Sequence, residues 1–291
     1  MRAPGDDRLR QFGLAVGVYV LYRVGAPLVT FLGDGFVQVA LSTLVFMALA
    51  TWVVMRAAAL PLRPLQAAGW MLLLLLAFAV VRWSPELVTP LRSSPIALEM
   101  LWGISDTLMV LASSMLGLAV SYIIREPNIL APAALFAALV DFAIVSLWIP
   151  RVMEAAPHAL SAVAVHVPQV GAQPTPAGLR PIGIIGPADF VFLAFYFACI
   201  WRFGMAARAT YLWMVIALAA YMVFQSTVGS LTPRLMDAVD MLPGLVPMAV
   251  VLLMVNRKYF RFSREEKRVM AVVALLVVAI VAFAFWAVRR Y

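Results

Sequence analysis

Of 291 residues, 65% are hydrophobic and only 12% are charged, which excludes a soluble globular chain, since no single core could hide that much apolar surface. The apolar runs are continuous rather than alternating, so the expected fold is all-α: a polytopic helical membrane protein, not a barrel. The net charge of +8 falls largely on arginines at the ends of apolar runs, where it reports orientation and anionic headgroups, so the lipid bilayer and not nucleic acid is the expected partner.

About nine spans are expected, at roughly 12–32, 35–56, 66–82, 98–124, 128–149, 183–203, 208–230, 237–256 and 269–288. The first is read as a retained span, because its apolar run continues past Arg23 without a small-residue cleavage site. Basic residues on the side of the N-terminus outnumber those opposite by about two to one, led by Arg257, Lys258, Arg261, Arg264, Lys267 and Arg268. The N-terminus is therefore expected inside. Twenty arginines against two lysines is a GC-rich composition, and a prokaryotic cytoplasmic membrane is the expected location.

The first half, 1–126, reads as a transmembrane scaffold of about four spans with few polar groups. Within it, Glu99 and Asp106 lie seven apart on one helix face and are placed to pair with Arg23 or Arg92. The second part, 127–256, carries the polar features that bear chemistry, and 257–291 adds a basic loop and a last span. The long connection 150–182 is rich in Pro, Gly and Ala, and loops of that length between helices are usually functional or disordered. His158 and His166 both fall in it and read as solvated loop residues without metal-ligand spacing. The single Cys199 excludes an internal disulfide and a cysteine-based zinc site, so neither metal nor cofactor is expected.

Asp141 lies in ALFAALVDFAIVSLW and Asp189 in IGIIGPADFVFLAFYF. A carboxylate near the bilayer centre costs about 2.5–3.5 kcal/mol on insertion scales and is by default a functional hypothesis. The expected fifth span runs outward past Asp141 and the sixth returns past Asp189. This puts the two about 12 Å and about 9 Å below the same membrane face, at ~1.5 Å per residue. A close pair of carboxylates shares one proton near neutral pH. Its ionised member can activate water while the protonated one polarises a carbonyl.

Around Asp189, Pro187 pre-sets a helix start and pushes Gly186 out of helical geometry. The preceding Ile182, Gly183, Ile184 and Ile185 are therefore expected to be extended. Non-helical backbone at that depth must lie against protein or water, which implies a wet cavity beside Asp189. A further break, Leu242-Pro243-Gly244-Leu245-Val246-Pro247, opens the expected eighth span.

Taken together, Asp141, then Gly186-Pro187-Ala188-Asp189, then Pro243-Gly244-Leu245 resemble the three motifs of the presenilin and signal-peptide-peptidase family of intramembrane aspartyl proteases. The likeness covers about 128–256 and extends to Phe190-Val191-Phe192 and to Arg180. The chain differs from the family pattern at Val140, Ala188 and Gly244. The resemblance implies catalytic Asp141 and Asp189, and a presenilin-like fold. It implies as substrates transmembrane-helix proteins or signal-peptide-like segments. A substrate would be held as an added strand between Ile182–Gly186 and the backbone at Pro243, Gly244 and Leu245. A proton-coupled transporter using the two aspartates as a relay is the alternative, as is a non-catalytic assembly protein.

Overall fold

The computed structural model describes residues 4–29, 35–87, 94–147, 162–171, 181–231 and 244–268, with 271, 275 and 279. They are mostly helical and belong to two compact units, one of Met1–Tyr122 with Val163–Trp201 and one of Ile123–Ala162 with Arg202–Tyr291. The segment bearing Asp189 thus belongs to the unit of the N-terminal helices.

The first unit contains α1 (Pro4–Gly25), α2 (Phe36–Ala57), α3 (Pro64–Leu87) and α4 (Pro95–Ser121). The helix after α4, α5 (Pro127–Leu147), belongs to the second unit. The first unit resumes with strands β1 (Val165–Pro168) and β2 (Pro181–Ile185) and helix α6 (Pro187–Arg202). Proline opens α1, α3, α4, α5 and α6, at the position where its missing N–H costs nothing. Ser94 caps α4 by accepting from Ala97 N–H at 3.3 Å.

Packing inside this unit follows the apolar faces. α4 lies against α3, α1 and α2, and buries Asp106, Val110, Ser113, Ser114 and Gly117 on its inner side. α3 faces the other way: Leu65, Trp70, Leu72, Leu73, Leu76, Val80 and Trp83 are exposed, a surface suited to lipid. α6 is buried nearly all round, with Phe190 and every residue from Leu193 to Ile200 inside. Its backbone comes so close to α4 that a Cβ on Gly117 would stand 2.2 Å from the Val191 carbonyl oxygen. Trp201 Nε1 donates to the Met55 carbonyl at 3.1 Å and ties the far end of α6 to α2.

The second unit contains α5, α7 (Ala207–Leu231) and α8 (Leu245–Asn256), with α8 packed on both others. Buried Asn256 holds its base: its amide donates to Thr210 Oγ1 at 2.9 Å, while its carbonyl accepts from Ala206 N–H at 3.1 Å. Asn128 exchanges two hydrogen bonds with the backbone of Arg261, at 2.9 and 3.0 Å. The chain is helical again over 264–268, opened by a reciprocal cap between Ser263 and Glu266.

Five helices among the described residues are long and apolar enough to cross a bilayer: Phe36–Ala57, Pro64–Ser84, Pro95–Ser121, Pro127–Val145 and Ala207–Gln225. Several apolar spanning helices fit an integral membrane protein. The expected spans at 183–203 and 237–256 yield the shorter α6, 16 residues, and α8, 12 residues. Among the described residues the all-α expectation is corrected where β1 and β2 form an antiparallel two-stranded ribbon.

Candidate functional site

The proline and glycine before Asp189 act as their chemistry dictates. β2 runs extended to Ile185, the chain turns at Gly186, and Pro187 opens α6, so Asp189 falls in its first turn. There the carboxylate faces the positive end of the helix. The Asp189 N–H donates to the Gly186 carbonyl at 3.1 Å. Its Oδ2 lies 3.5 Å from where a Gly186 Cβ would be, and the side chain is half-buried.

The extended geometry expected for Ile182, Gly183, Ile184 and Ile185 is present. These residues pair with β1 in the register Val165↔Ile185, His166↔Ile184 and Val167↔Gly183, followed by an irregularity before Pro168↔Pro181. Prolines 168 and 181 bound the ribbon at one end. β1 is the buried strand and packs on α2 and α4, whereas Ile184 of β2 is exposed. Among the described residues β2 pairs only with β1, which leaves its other backbone edge without a strand.

Asp141, in the second unit, is half-buried on α5. Its Oδ2 accepts from Leu245 N–H at 2.9 Å, so it satisfies an amide at the start of α8 that has no partner within the helix. Two of the expected motifs, the first aspartate and the Pro-Gly-Leu break, are thereby joined within one unit. Gly244 has helical geometry, φ −69° and ψ −26°, and the Leu245 amide is already occupied by Asp141. Pro243, Arg180, His158 and Arg92 lie outside the described residues.

A second polar cluster sits in the first unit. Of the pairings open in the sequence, Arg23 with Asp106 forms, at 2.5 Å and almost fully buried. His166 is not a solvated loop residue as expected. It lies in the middle of β1, donates its backbone N–H to Asp106 Oδ2 at 3.0 Å and places Nδ1 3.7 Å from the same oxygen. The alternation of Val163, Val165 and Val167 is the signal that could have located this strand. Nothing in the sequence could have revealed its carboxylate anchor, 60 residues away.

No group of three or more His, Cys, Asp or Glu residues suited to a metal ion occurs among the described residues. Comparison with known protein families, with curated proteins and with solved structures finds no match.

Proposed function

We propose that this chain is an intramembrane aspartyl protease, a presenilin-like protein of about nine spans that hydrolyses peptide bonds within transmembrane segments. Asp141 and Asp189 are its catalytic pair and share the general acid and general base roles between them. The observation that carries the reading is the run β2–Gly186–Asp189: an extended strand, with no second strand partner among the described residues, leads within four residues to a carboxylate at a helix start. A transmembrane helix hides its carbonyls in internal hydrogen bonds and must unwind before hydrolysis. An open strand edge supplies replacement backbone bonds as it unwinds. Ile182, Gly183, Ile184, Ile185 and Gly186 are the proposed substrate strand partners. Leu245, its amide held by Asp141, contributes by setting that carboxylate rather than by offering a free donor.

The chemistry needs no metal. The ionised aspartate takes a proton from water as it attacks the scissile carbonyl, and the protonated one donates to the carbonyl oxygen. Collapse of the tetrahedral species returns a proton to the departing amine. The natural setting is a cytoplasmic membrane with the N-terminus inside, and substrates are single transmembrane helices or signal-peptide-like segments.

The test is incubation of purified protein with a single-span helical substrate, followed by mass spectrometry of the products. Internal cleavage is expected, with a bell-shaped dependence on pH belonging to the pair. Asp141→Asn and Asp189→Asn are each expected to abolish it while the protein stays folded. Proton-dependent flux without cleavage would instead establish the transporter, and proteolysis by either purified variant would end the dyad assignment.

A further inference from the structure

Asp106 is almost fully buried, yet its Oδ2 accepts from two elements: the Arg23 guanidinium of α1 and the backbone N–H of His166 on β1, whose Nδ1 lies 3.7 Å from the same oxygen. Arg23 in turn lies over the Phe46 ring of α2, 5.8 Å from its centroid. A Cβ on Gly103 would stand 2.9 Å from the Arg23 carbonyl oxygen, so α1 and α4 touch along their backbones at this level. The carboxylate therefore cannot drift. Its bond to a strand amide, charge-assisted and out of water, is the stronger kind of hydrogen bond.

The amide it holds is in mid-ribbon. His166 stands opposite Ile184, and Gly186 and Asp189 follow two and five residues after Ile184. The same helix that carries Asp106 also meets the Asp189 helix, through Gly117 against Val191 and Ala194. Asp106 and Gly117 are eleven residues apart, three helical turns, so they share one face of α4 about 16 Å apart. One rigid helix thus holds both the ribbon and the catalytic helix. The ribbon's register relative to Asp189 is set between these two points.

We propose that Asp106, fixed by Arg23, is a positioning residue: it locks the register of the β1–β2 ribbon against α4 and so selects which peptide bond of an added strand meets Asp189. This rests on the proteolysis reading given above. The apolar pattern excludes a slip of one residue, which would turn the buried face outward, but not a slip of two, which keeps the faces and displaces a strand by about 6.6 Å, enough to present a different bond.

Two double variants separate positioning from folding. Arg23→Met with Asp106→Leu removes both charges but preserves apolar bulk, a replacement that buried ion pairs commonly tolerate. Arg23→Gln with Asp106→Asn also removes both charges but leaves an oxygen to accept from His166 N–H. Hydrogen exchange of the intact protein in detergent micelles is expected to show the His166 amide opening at least about tenfold faster in the Met/Leu variant and close to wild type in the Gln/Asn variant. Mass spectrometry of products from a single-span substrate is expected to show cleavage spread over neighbouring bonds in the Met/Leu variant, and the wild-type site in the Gln/Asn variant. Equal His166 exchange in all three proteins would overturn the anchor, whatever the cleavage pattern. Faster exchange with an unchanged cleavage site would overturn the register role. Absence of cleavage by the wild-type chain would refute the protease reading, and the register role with it, while the exchange comparison still decides the anchor.

Discussion

Gly117→Ala is the sharpest test of how α4 carries the Asp189 helix. The added methyl would stand 2.2 Å from the Val191 carbonyl oxygen, 2.8 Å from the Ala194 Cβ and 2.8 Å from the Phe195 nitrogen. Two of these three atoms are backbone, so no side chain can rotate away. The closest contact must widen to at least 3.0 Å, a difference of 0.8 Å, and α6 must move to provide it. Overpacking of this kind costs about 1–3 kcal/mol. For a chain of this size that lowers the melting temperature by roughly 2–12 °C. Val191 is two residues from Asp189, so the displacement reaches the carboxylate, and a misplacement near 1 Å costs up to about 100-fold in rate. Melting in detergent and cleavage of a single-span substrate measure the two effects together. Gly69→Ala is the control: nothing lies within 4 Å of its added methyl on α3, and helix propensity favours alanine by about 0.5–1 kcal/mol. A Gly117→Ala protein with wild-type melting and wild-type activity would refute the reasoning.

Asp141→Ala should lower stability by about 0.5–2 kcal/mol because the Leu245 amide loses its acceptor, whereas Asp141→Asn keeps one; identical melting of the two variants would remove the capping role. The two hydrogen bonds from Ser263, backbone first, hold the Glu266 carboxyl below its ordinary value of 4.5. A depressed carboxylate stabilises above that value and loses its contribution as pH falls through the lowered one, so the 264–268 turn should fray in acid. Exchange of the Ser263 and Glu266 amides reads this, and protection that falls at no pH below that ordinary value would contradict it. A cysteine at Gln173, in a Cys199→Ala background, should react with an impermeant label from outside intact cells; labelling only after permeabilisation would invert the proposed orientation. Gln173 itself lies outside the described residues.

Much of what matters here was local and therefore legible in the chain. Long apolar runs require a bilayer, and prolines at 64, 95, 127 and 187 mark helix starts because a missing N–H is harmless only there. A second proline rule, the steric clash that keeps the preceding residue out of helical geometry, predicts the break at Gly186 and the extended Ile182–Ile185 before it. The chance of an Arg23–Asp106 pair was also visible, since a buried charge needs a counter-charge and few were present, though Glu99 and Arg92 stood as equal candidates.

What only the tertiary structure decided was partnership between residues far apart in sequence. β1 found its strand mate and its carboxylate anchor, Asp141 found the Leu245 amide across 104 residues, and Gly117 met the backbone of Val191. Periodicity reports which side of a helix is apolar, but not which backbone amide a distant carboxylate will reach. The ribbon was hidden for the same reason: the alternation of Val163, Val165 and Val167 suits a strand, but β-pairing is a property of two segments, and only the fold lays Ile182–Ile185 beside Val165–Pro168.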